Sequence, residues 1–526
     1  MDTKALRQKV LDLAIRGKLV PQDPNDEPAS VLLARIRQQK QQMVKEGKLK
    51  AKDIKNDTII FVGEDNLHYE KFADGSVKCI EDEIPFDLPD GWAWSKIGPL
   101  CEYITSGSRG WAQYYSETGI LFLRMGNLSR DSFDLRLDNL QRVNLPDNAE
   151  GTRTRVTEND LLFSITAEIG MLGLIPANFE EAYINQHVGL IRFLKDAQTK
   201  FFPYILMSEF CRDQYYTVQC GMKNSFRLDN IQNILAPVPP LGEQIRIAEK
   251  LSNIWTHIQQ IDIESEAASD IISKAKSKIL DLAIRGQLVP QDPDDEPASV
   301  LLERIRAEKE ELIKQGKLKR DKKESVIFRG EDNSYYLRTG ELVESLEDWD
   351  FEELPDSWSV CCLGELCDYG NCTNIDTADI ADSAWILDLE DIEKDSGVVL
   401  QKVRQGERNA GSTKHRFHKG QVLYSKLRPY LNKVVLADED GYCTSEILPL
   451  EFERNILPQY ARYFLMSPAF LRYANKCSYG VKMPRLGTAD GKKAIISVPP
   501  VKEQKRIIMA IELAFAQLAS IAENLA

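Results

Sequence analysis

Residues 9–40 read KVLDLAIRGKLVPQDPNDEPASVLLARIRQQK and residues 278–309 read KILDLAIRGQLVPQDPDDEPASVLLERIRAEK, identical at 26 of 32 positions with a constant offset of 269. A repeat this close demands two equivalent supersecondary units in one chain. The second copy closes a longer run that starts after Val238-Pro239-Pro240. There Ile247, Leu251, Ile254, Ile258, Ile261, Ala268, Ile272, Ala275, Ile279 and Leu282 fall on a 3.5-residue period, the pattern of a coiled-coil seam. With Gly286 and Pro290 as stop signals, the spacing predicts one helix from Glu243 to Gly286, about 66 Å long at ~1.5 Å per residue. The other half of the first copy lies at the far end of the sequence. Val498-Pro499-Pro500 followed by Glu503, Gln504, Arg506 and Ile507 repeats Val238-Pro239-Pro240 followed by Glu243, Gln244, Arg246 and Ile247 at an offset of 260. Ile507, Ile511, Ala514, Leu518, Ile521 and Leu525 continue the seam. Residues 503–526 and 1–17 thus map onto 243–266 and 270–286, which predicts that the two terminal helices lie end to end beside the central one in a pseudo-twofold, circular arrangement.

Between the repeats lie two larger, divergent regions. Each opens on a matching phrase, Leu88-Pro89-Asp90-Gly91-Trp92 and Leu354-Pro355-Asp356-Ser357-Trp358, and each ends at its Val-Pro-Pro. Inside them Asp160-Leu161-Leu162-Phe163-Ser164 answers Gln421-Val422-Leu423-Tyr424-Ser425, and short apolar runs alternate with Gly and Asn turns. The reading is α+β: a helical region with a hairpin at 1–85, a mixed α/β domain at 86–242, a second helical region with a hairpin at 243–351, a second mixed domain at 352–502 and a closing helix at 503–526. The hairpins are signalled by Thr58-Ile59-Ile60-Phe61 and Ser325-Val326-Ile327-Phe328, each just ahead of a Gly-Glu-Asp-Asn turn, and serve as elaboration or as a partner dock. A scaffold repeated almost verbatim with unlike inserts predicts two modules of equivalent placement and different targets.

A net charge of −14 excludes a protein that coats nucleic acid by bulk attraction, but the charge is segregated. Between Lys402 and Lys433 nine Lys or Arg stand against Glu407 alone, and from Arg454 to Lys502 nine stand against Asp490 alone. Cys361, Cys362, Cys367 and Cys372 cluster at a spacing that fits no common zinc template, and no His pair has metal-ligand spacing. No apolar run approaches the length of a bilayer span and Met1-Asp2-Thr3-Lys4 opens no signal peptide, so the chain is expected in the cytoplasm, away from membranes. Motifs for a flipped adenine (N-P-P-[YF]), a phosphate loop (G-x-x-x-x-G-K-[ST]) or a dinucleotide (G-x-G-x-x-G) are absent, which argues against an enzyme.

The twin LAIRG-x-LVPQDP-x-DEPAS segments, the twin VPP-x-x-EQ helix starts, the LPDGW phrase and Leu423-Tyr424-Ser425-Lys426-Leu427-Arg428-Pro429-Tyr430-Leu431 resemble the specificity subunit of type I restriction-modification enzymes. The resemblance covers essentially the whole chain. It implies two target recognition domains, each reading one half of a bipartite double-stranded DNA target, held apart by an antiparallel coiled coil that sets the spacer. It implies a non-catalytic chain without cofactors. S-adenosylmethionine, ATP and Mg would belong to its partners, two methyltransferase subunits and two restriction/translocase subunits. The faces near Asp12–Arg16 and Asp281–Arg285 are the expected methyltransferase docks. The alternatives are a coiled-coil adaptor whose variable domains bind proteins, and a methyltransferase with unrecognised motifs.

For DNA contact in the first domain, Ser106, Arg109, Trp111, Tyr114 and Tyr115 form a Gly-loosened loop able to enter a groove, with Arg109 suited to bidentate guanine contact. Arg124, Asn127, Gln186, His187, Lys223 and Asn224 are further candidates. In the second domain Lys414, Lys426, Arg428 and Lys433 flank Tyr424 in the basic stretch, with Lys426, Arg428 and Lys433 suited to phosphate, and Asn374, Arg416 and Tyr430 to bases. Lys482 and Arg485 follow Gly480 as Lys223 follows Gly221. The competing reading is that the aromatics pack a core and the basic run is a solvated or ion-paired face.

Overall fold

The periodic run after Val238-Pro239-Pro240 folds as a single helix, Leu241–Ile284, of 44 residues. The computed structural model describes residues 2–107, 109–146, 154–217, 226–317, 325–330, 332, 334–346, 354–408 and 412–525. It is α+β and divides within this helix into two units, residues 1–264 and 265–526. Ile247, Leu251 and Ile258 are buried and the remaining seam positions half-buried, whereas Ile263 and Ile271, off the seam, are exposed. In unit 1, Thr3 and Arg7 of the helix Thr3–Ile15 bond to Asp262 at 2.7 and 2.6 Å. In unit 2, the Lys276 amine sits 5.6 Å from the ring centroid of Phe515 on the helix Val501–Leu525.

Two expectations for that last helix need correction. Ile507 and Ile511 are buried, but Ile521 and Leu525 are exposed, so the apolar period runs on further than the packing does. By length and composition Val501–Leu525 is also apolar enough to cross a bilayer, with a mean hydropathy of 1.4, the one such helix among the described residues. Its first half instead buries Glu503, Gln504, Ile507, Ile508 and Ile511 in protein.

The repeated phrases are the parts of a buckle, closed once in each unit. Trp92 donates to Glu243 at 2.9 Å and Gln291 donates to Glu503 at 2.6 Å, while Arg246 holds Asp26 at 2.6 Å and Arg506 holds Asp295 at 2.7 Å. Gln244 and Gln504, both fully buried, donate to the carbonyls of Pro239 and Pro499. The Val-Pro-Pro strands pair with the Trp-bearing openings, Val238 opposite Ala93 and Val498 opposite Ser359. Near-identity of the repeats therefore reflects interlocking polar geometry, in which a change to one side chain strands its buried partner.

Gly286 ends the long helix at φ +70°, and a Cβ there would meet Pro355 Cγ at 2.5 Å; Gly17, its counterpart, stands at φ +64° with Pro89 Cγ at 2.5 Å. Gly286→Ala should therefore cost unit 2 about 2–4 kcal/mol, adding a left-handed penalty to an overpacking clash. Gly316, at φ +70° with open space around it, is the control. Gly316→Ala should cost only ~1 kcal/mol; urea titration of both variants reads the difference, and equal losses would assign the effect to backbone alone.

Each unit then stacks mixed sheets. In unit 1 the strands Leu172–Leu174, Leu161–Ser164, Val188–Phe193 and Cys101–Ser106 form one antiparallel sheet in that order. A second sheet orders Ala182–Ile184, Ile120–Leu123, Arg142–Val143 and Tyr115–Ser116, its first pair parallel. In unit 2 the counterparts are Val434–Leu436, Val422–Ser425 and Ile447–Leu450, and a five-stranded sheet whose pair Trp385–Leu387 and Gly441–Thr444 is parallel. Phe201 and Phe202 in unit 1, and Tyr460 and Phe464 in unit 2, anchor the helices that cover the first sheets.

Candidate nucleic-acid interface

At one end of the first sheet in each unit the chain makes a tight turn through a non-glycine residue in the left-handed region. In unit 1 the turn follows Ser164 and holds Ala167 at φ 57°; in unit 2 it follows Ser425 and holds Arg428 at φ 50°, with Asn432 at φ 49°. Such a residue costs of order 1 kcal/mol and persists only where its neighbours fix it. Here they do. Ile165 donates to the His187 carbonyl at 3.0 Å and accepts from Phe226 at 2.8 Å, while Lys426 donates to the Glu446 carbonyl at 3.0 Å and accepts from Leu486 at 3.0 Å. The Arg428 amide is held by the Pro484 carbonyl at 2.7 Å. The same three segments thus meet at the same corner in both units.

The corners differ in chemistry. In unit 1 the Thr166 hydroxyl lies 2.9 Å from His187 Nδ1, and Gln186 Nε2 lies 3.0 Å from His187 Nε2. The strand end Ser106 pairs with Gly189 beside them, and Gly107 packs so closely on Asn185 that a Cβ would meet its carbonyl oxygen at 2.1 Å. The corner offers neutral donors and acceptors suited to base edges. In unit 2 it carries Lys426, Arg428 and Lys482, which form no ion pair among the described residues, with Tyr430 49% and Tyr479 62% exposed. Arg485 is different: it binds Glu446 at 2.8 Å and holds that carboxyl below its ordinary range. This corner is cationic and aromatic, suited to phosphate with stacking at its edge.

The family model for the type I restriction modification DNA specificity domain matches residues 89–268 and 355–521, together more than half of the chain. The chain belongs to that family. Among its curated relatives, the type I restriction enzyme EcoAI specificity subunit of Escherichia coli is 29% identical over 70% of this chain and 63% of its own length. The EcoEI specificity subunit, also from Escherichia coli, is 26% identical over 69% and 61%. The chain thus spans about six-tenths of the length of these relatives. A solved chain from a study of complex assembly and conformational transition of the type I R-M system shares the fold. It has a TM-score of 0.50 at 15% identity, covering 84% of this chain and 94% of that one.

Within this family framework, the residues proposed from sequence fall into four groups. Ser106, Gln186 and His187 converge in unit 1, and Lys426, Arg428, Tyr430, Lys482 and Arg485 in unit 2. Arg109 and Tyr115 are exposed further along the loop that leaves Gly107, and Asn374 and Arg416 are exposed on neighbouring strands of the second sheet. Others are corrected by burial or are engaged within the domain. Trp111 is buried between Phe122 and Tyr183, with Tyr114 packed against that cluster. Asn127 is buried with its side chain bonded to the Arg124 amide and to the Arg136 and Asn139 carbonyls, which leaves Arg124 half-buried beside it. Tyr424 lies in the core against Phe470. Lys414 is buried on Asp388 at 2.8 Å, and Lys433 donates to the Leu389 carbonyl at 2.6 Å. Lys223 and Asn224 lie outside the described residues.

The basic run between Lys402 and Lys433 is therefore partly ion-paired: Lys402, Arg404, Arg408 and Lys414 are matched by Asp438, Glu439, Asp391 and Asp388, while Arg416 stays exposed and Lys426 and Arg428 form no ion pair among the described residues. Sequence reading missed Thr166. The signal was present: Thr166 stands two residues after Ser164 as Leu427 does after Ser425, inside a phrase already seen to repeat. At the expected docks, Asp12 and Arg16 form a half-exposed pair, while Asp281 and Arg285 are mostly buried. Among the described residues no group of His, Cys, Asp and Glu is placed to hold a metal ion, and burial pushes the Cys361, Cys362 and Cys367 thiols up.

Proposed function

We propose that this chain is the DNA-reading subunit of a type I restriction-modification complex. Each recognition domain takes one half of a bipartite duplex target, and the helical regions set the gap. The observation that carries the reading is the duplicated strained corner, built on one backbone plan and furnished with unlike side chains. One scaffold with two chemistries is what two different half-sites require. In this reading the chain is non-catalytic and cytoplasmic. It works with two methyltransferase and two restriction/translocase subunits, to which S-adenosylmethionine, ATP and Mg belong.

Co-expression with the methyltransferase subunit and genome-wide mapping of methylated adenine tests this reading. The expected product is a split motif with a constant gap. Methylation without a second half, or with a variable gap, would reject it. S-adenosylmethionine should show no binding to the isolated chain by calorimetry, and saturable binding would favour a methyltransferase instead.

A further inference from the structure

Each unit carries a three-stranded antiparallel sheet outside the stretches matched by the family model. The strands are Ile59–Val62, His68–Lys71 and Val77–Cys79 in unit 1, and Ser325–Arg329, Tyr335–Thr339 and Leu342–Ser345 in unit 2. One face of each packs inward, and the two copies do this differently. Glu70 is buried in an ion pair with Lys96 at 2.6 Å. Its counterpart Leu337 is buried with Ile327 against Val360, Cys362 and Ile495.

The outward face is the part that stays the same. Phe61 stacks on Tyr69 with ring centroids 5.8 Å apart, and Phe328 stacks on Tyr336 at 5.8 Å. Tyr69 donates to Asp65 at 2.6 Å and Tyr336 to Asp332 at 2.7 Å. The next rung bears Lys71 opposite Val77, and Arg338 opposite Val343, with Val77 52% and Val343 50% exposed. A sheet kept only for packing would preserve its inward face and let the outward one drift. Here an aromatic pair, a cation and a valine recur on the wet side, while on the dry side Ile60 and Ile327 are kept but the Glu70–Lys96 pair gives way to Leu337 beside Cys362, which points to selection of the wet side by a contact.

Charge decides the kind of contact. Residues 59–83 hold seven carboxylates and two Lys or Arg, and residues 326–350 hold seven and two. Such a module repels phosphate, so duplex DNA is the wrong occupant. It suits a protein whose apolar patch is ringed by Lys and Arg. Two equivalent faces take two copies. We propose that these twin faces are docking surfaces for a partner protein with a basic-rimmed apolar patch, present twice per chain, and that this partner is the methyltransferase subunit of the reading above, on which the inference rests.

The test uses the full chain and purified methyltransferase subunit, with stoichiometry from native mass spectrometry and affinity from calorimetry. The unaltered chain should bind two copies. Phe61→Glu or Phe328→Glu alone should weaken one of the two sites at least tenfold, and the double variant should weaken both. Phe61→Leu with Phe328→Leu, which keeps the patch apolar, should retain two copies. Raising the salt should weaken binding to the unaltered chain, and Asp65→Asn with Asp332→Asn should flatten that dependence. Two copies bound to the double Glu variant with unchanged affinity would overturn the docking proposal while leaving DNA reading intact. An unaltered chain that binds duplex DNA or a second copy of itself through these faces, and no methyltransferase, would overturn the proposal and the partner assignment together.

Discussion

Arg192→Met is expected to destabilise unit 1 by about 3 kcal/mol, because it leaves a carboxylate buried without its cation. Arg192 binds Asp160 through two nitrogens, at 2.7 and 2.6 Å, and the Asp160 side chain is only 1% exposed. The guanidinium also lies 4.8 Å from the Tyr103 ring centroid. Removing one partner of such a pair costs ~3–5 kcal/mol; the low end applies because the Thr157 amide and hydroxyl still reach Asp160 at 2.7 and 3.2 Å. Adding Asp160→Asn should return much of the loss, since a neutral amide can stay buried on the Thr157 amide. Amide exchange reads the effect locally: Leu161–Ser164 and Val188–Phe193 should lose protection, while Val422–Ser425 and Ile447–Leu450 in unit 2 serve as internal control. Unchanged protection in unit 1 would mean that the pair does not anchor the sheet. The consequence reaches function, since these two strands end at the turn and at the Gln186-His187 pair.

How far the sequence could carry the fold follows from the same elements. The long helix, the bookend phrases that bound the two domains and the duplicated scaffold were legible because each leaves a periodic or repeated trace: a 3.5-residue seam, a Val-Pro-Pro, an offset that stays constant; that the bookends pair as strands was not. The corners were legible in part. Lys426 and Arg428 stand out by the basic stretch around Tyr424, Lys482 by its place after Gly480, and Gln186 and His187 by side chains able to meet base edges; the structure puts all five at strand ends or turns, where the sheet presents side chains outward. Trp111, Asn127, Lys414 and Tyr424 stand out on the same grounds of residue type and neighbourhood, and there those grounds fail for physical reasons. Trp and Tyr fill cores as readily as they stack on bases, an Asn caps a loop with the same amide it would offer to adenine, and a buried Lys needs only one carboxylate. Lys414 found that carboxylate in Asp388, 26 residues earlier in sequence and across a sheet. A local charge count cannot see such a partner, so in a run with one acid among nine bases four, Lys402, Arg404, Arg408 and Lys414, are matched by acids outside it.

Replacing Lys426, Arg428 and Lys482 together by alanine should lower duplex affinity on the order of a hundredfold at moderate salt and flatten the plot of log affinity against log salt by about 2–3 units, near 0.9 per phosphate contact. The loss should be nearly the same for matched and mismatched targets, because phosphate contacts position without reading. The opposite signature belongs to unit 1. Gln186→Ala should leave the salt slope unchanged, cost ~1–3 kcal/mol on the matched target only, and relax one base of one half of the methylated motif. The backbone offers an internal check on the cationic corner. Arg428 stands at φ 50°, so Arg428→Gly removes the charge and relieves strain together. It should flatten the salt slope by about one unit while raising unit 2 stability by a few tenths to ~1 kcal/mol, whereas Arg428→Ala flattens the slope without the gain. A triple variant that binds with an unaltered salt slope would place the phosphate contacts elsewhere, most directly on the exposed Asn374 and Arg416 of the neighbouring sheet, and would detach the strained corner from DNA recognition.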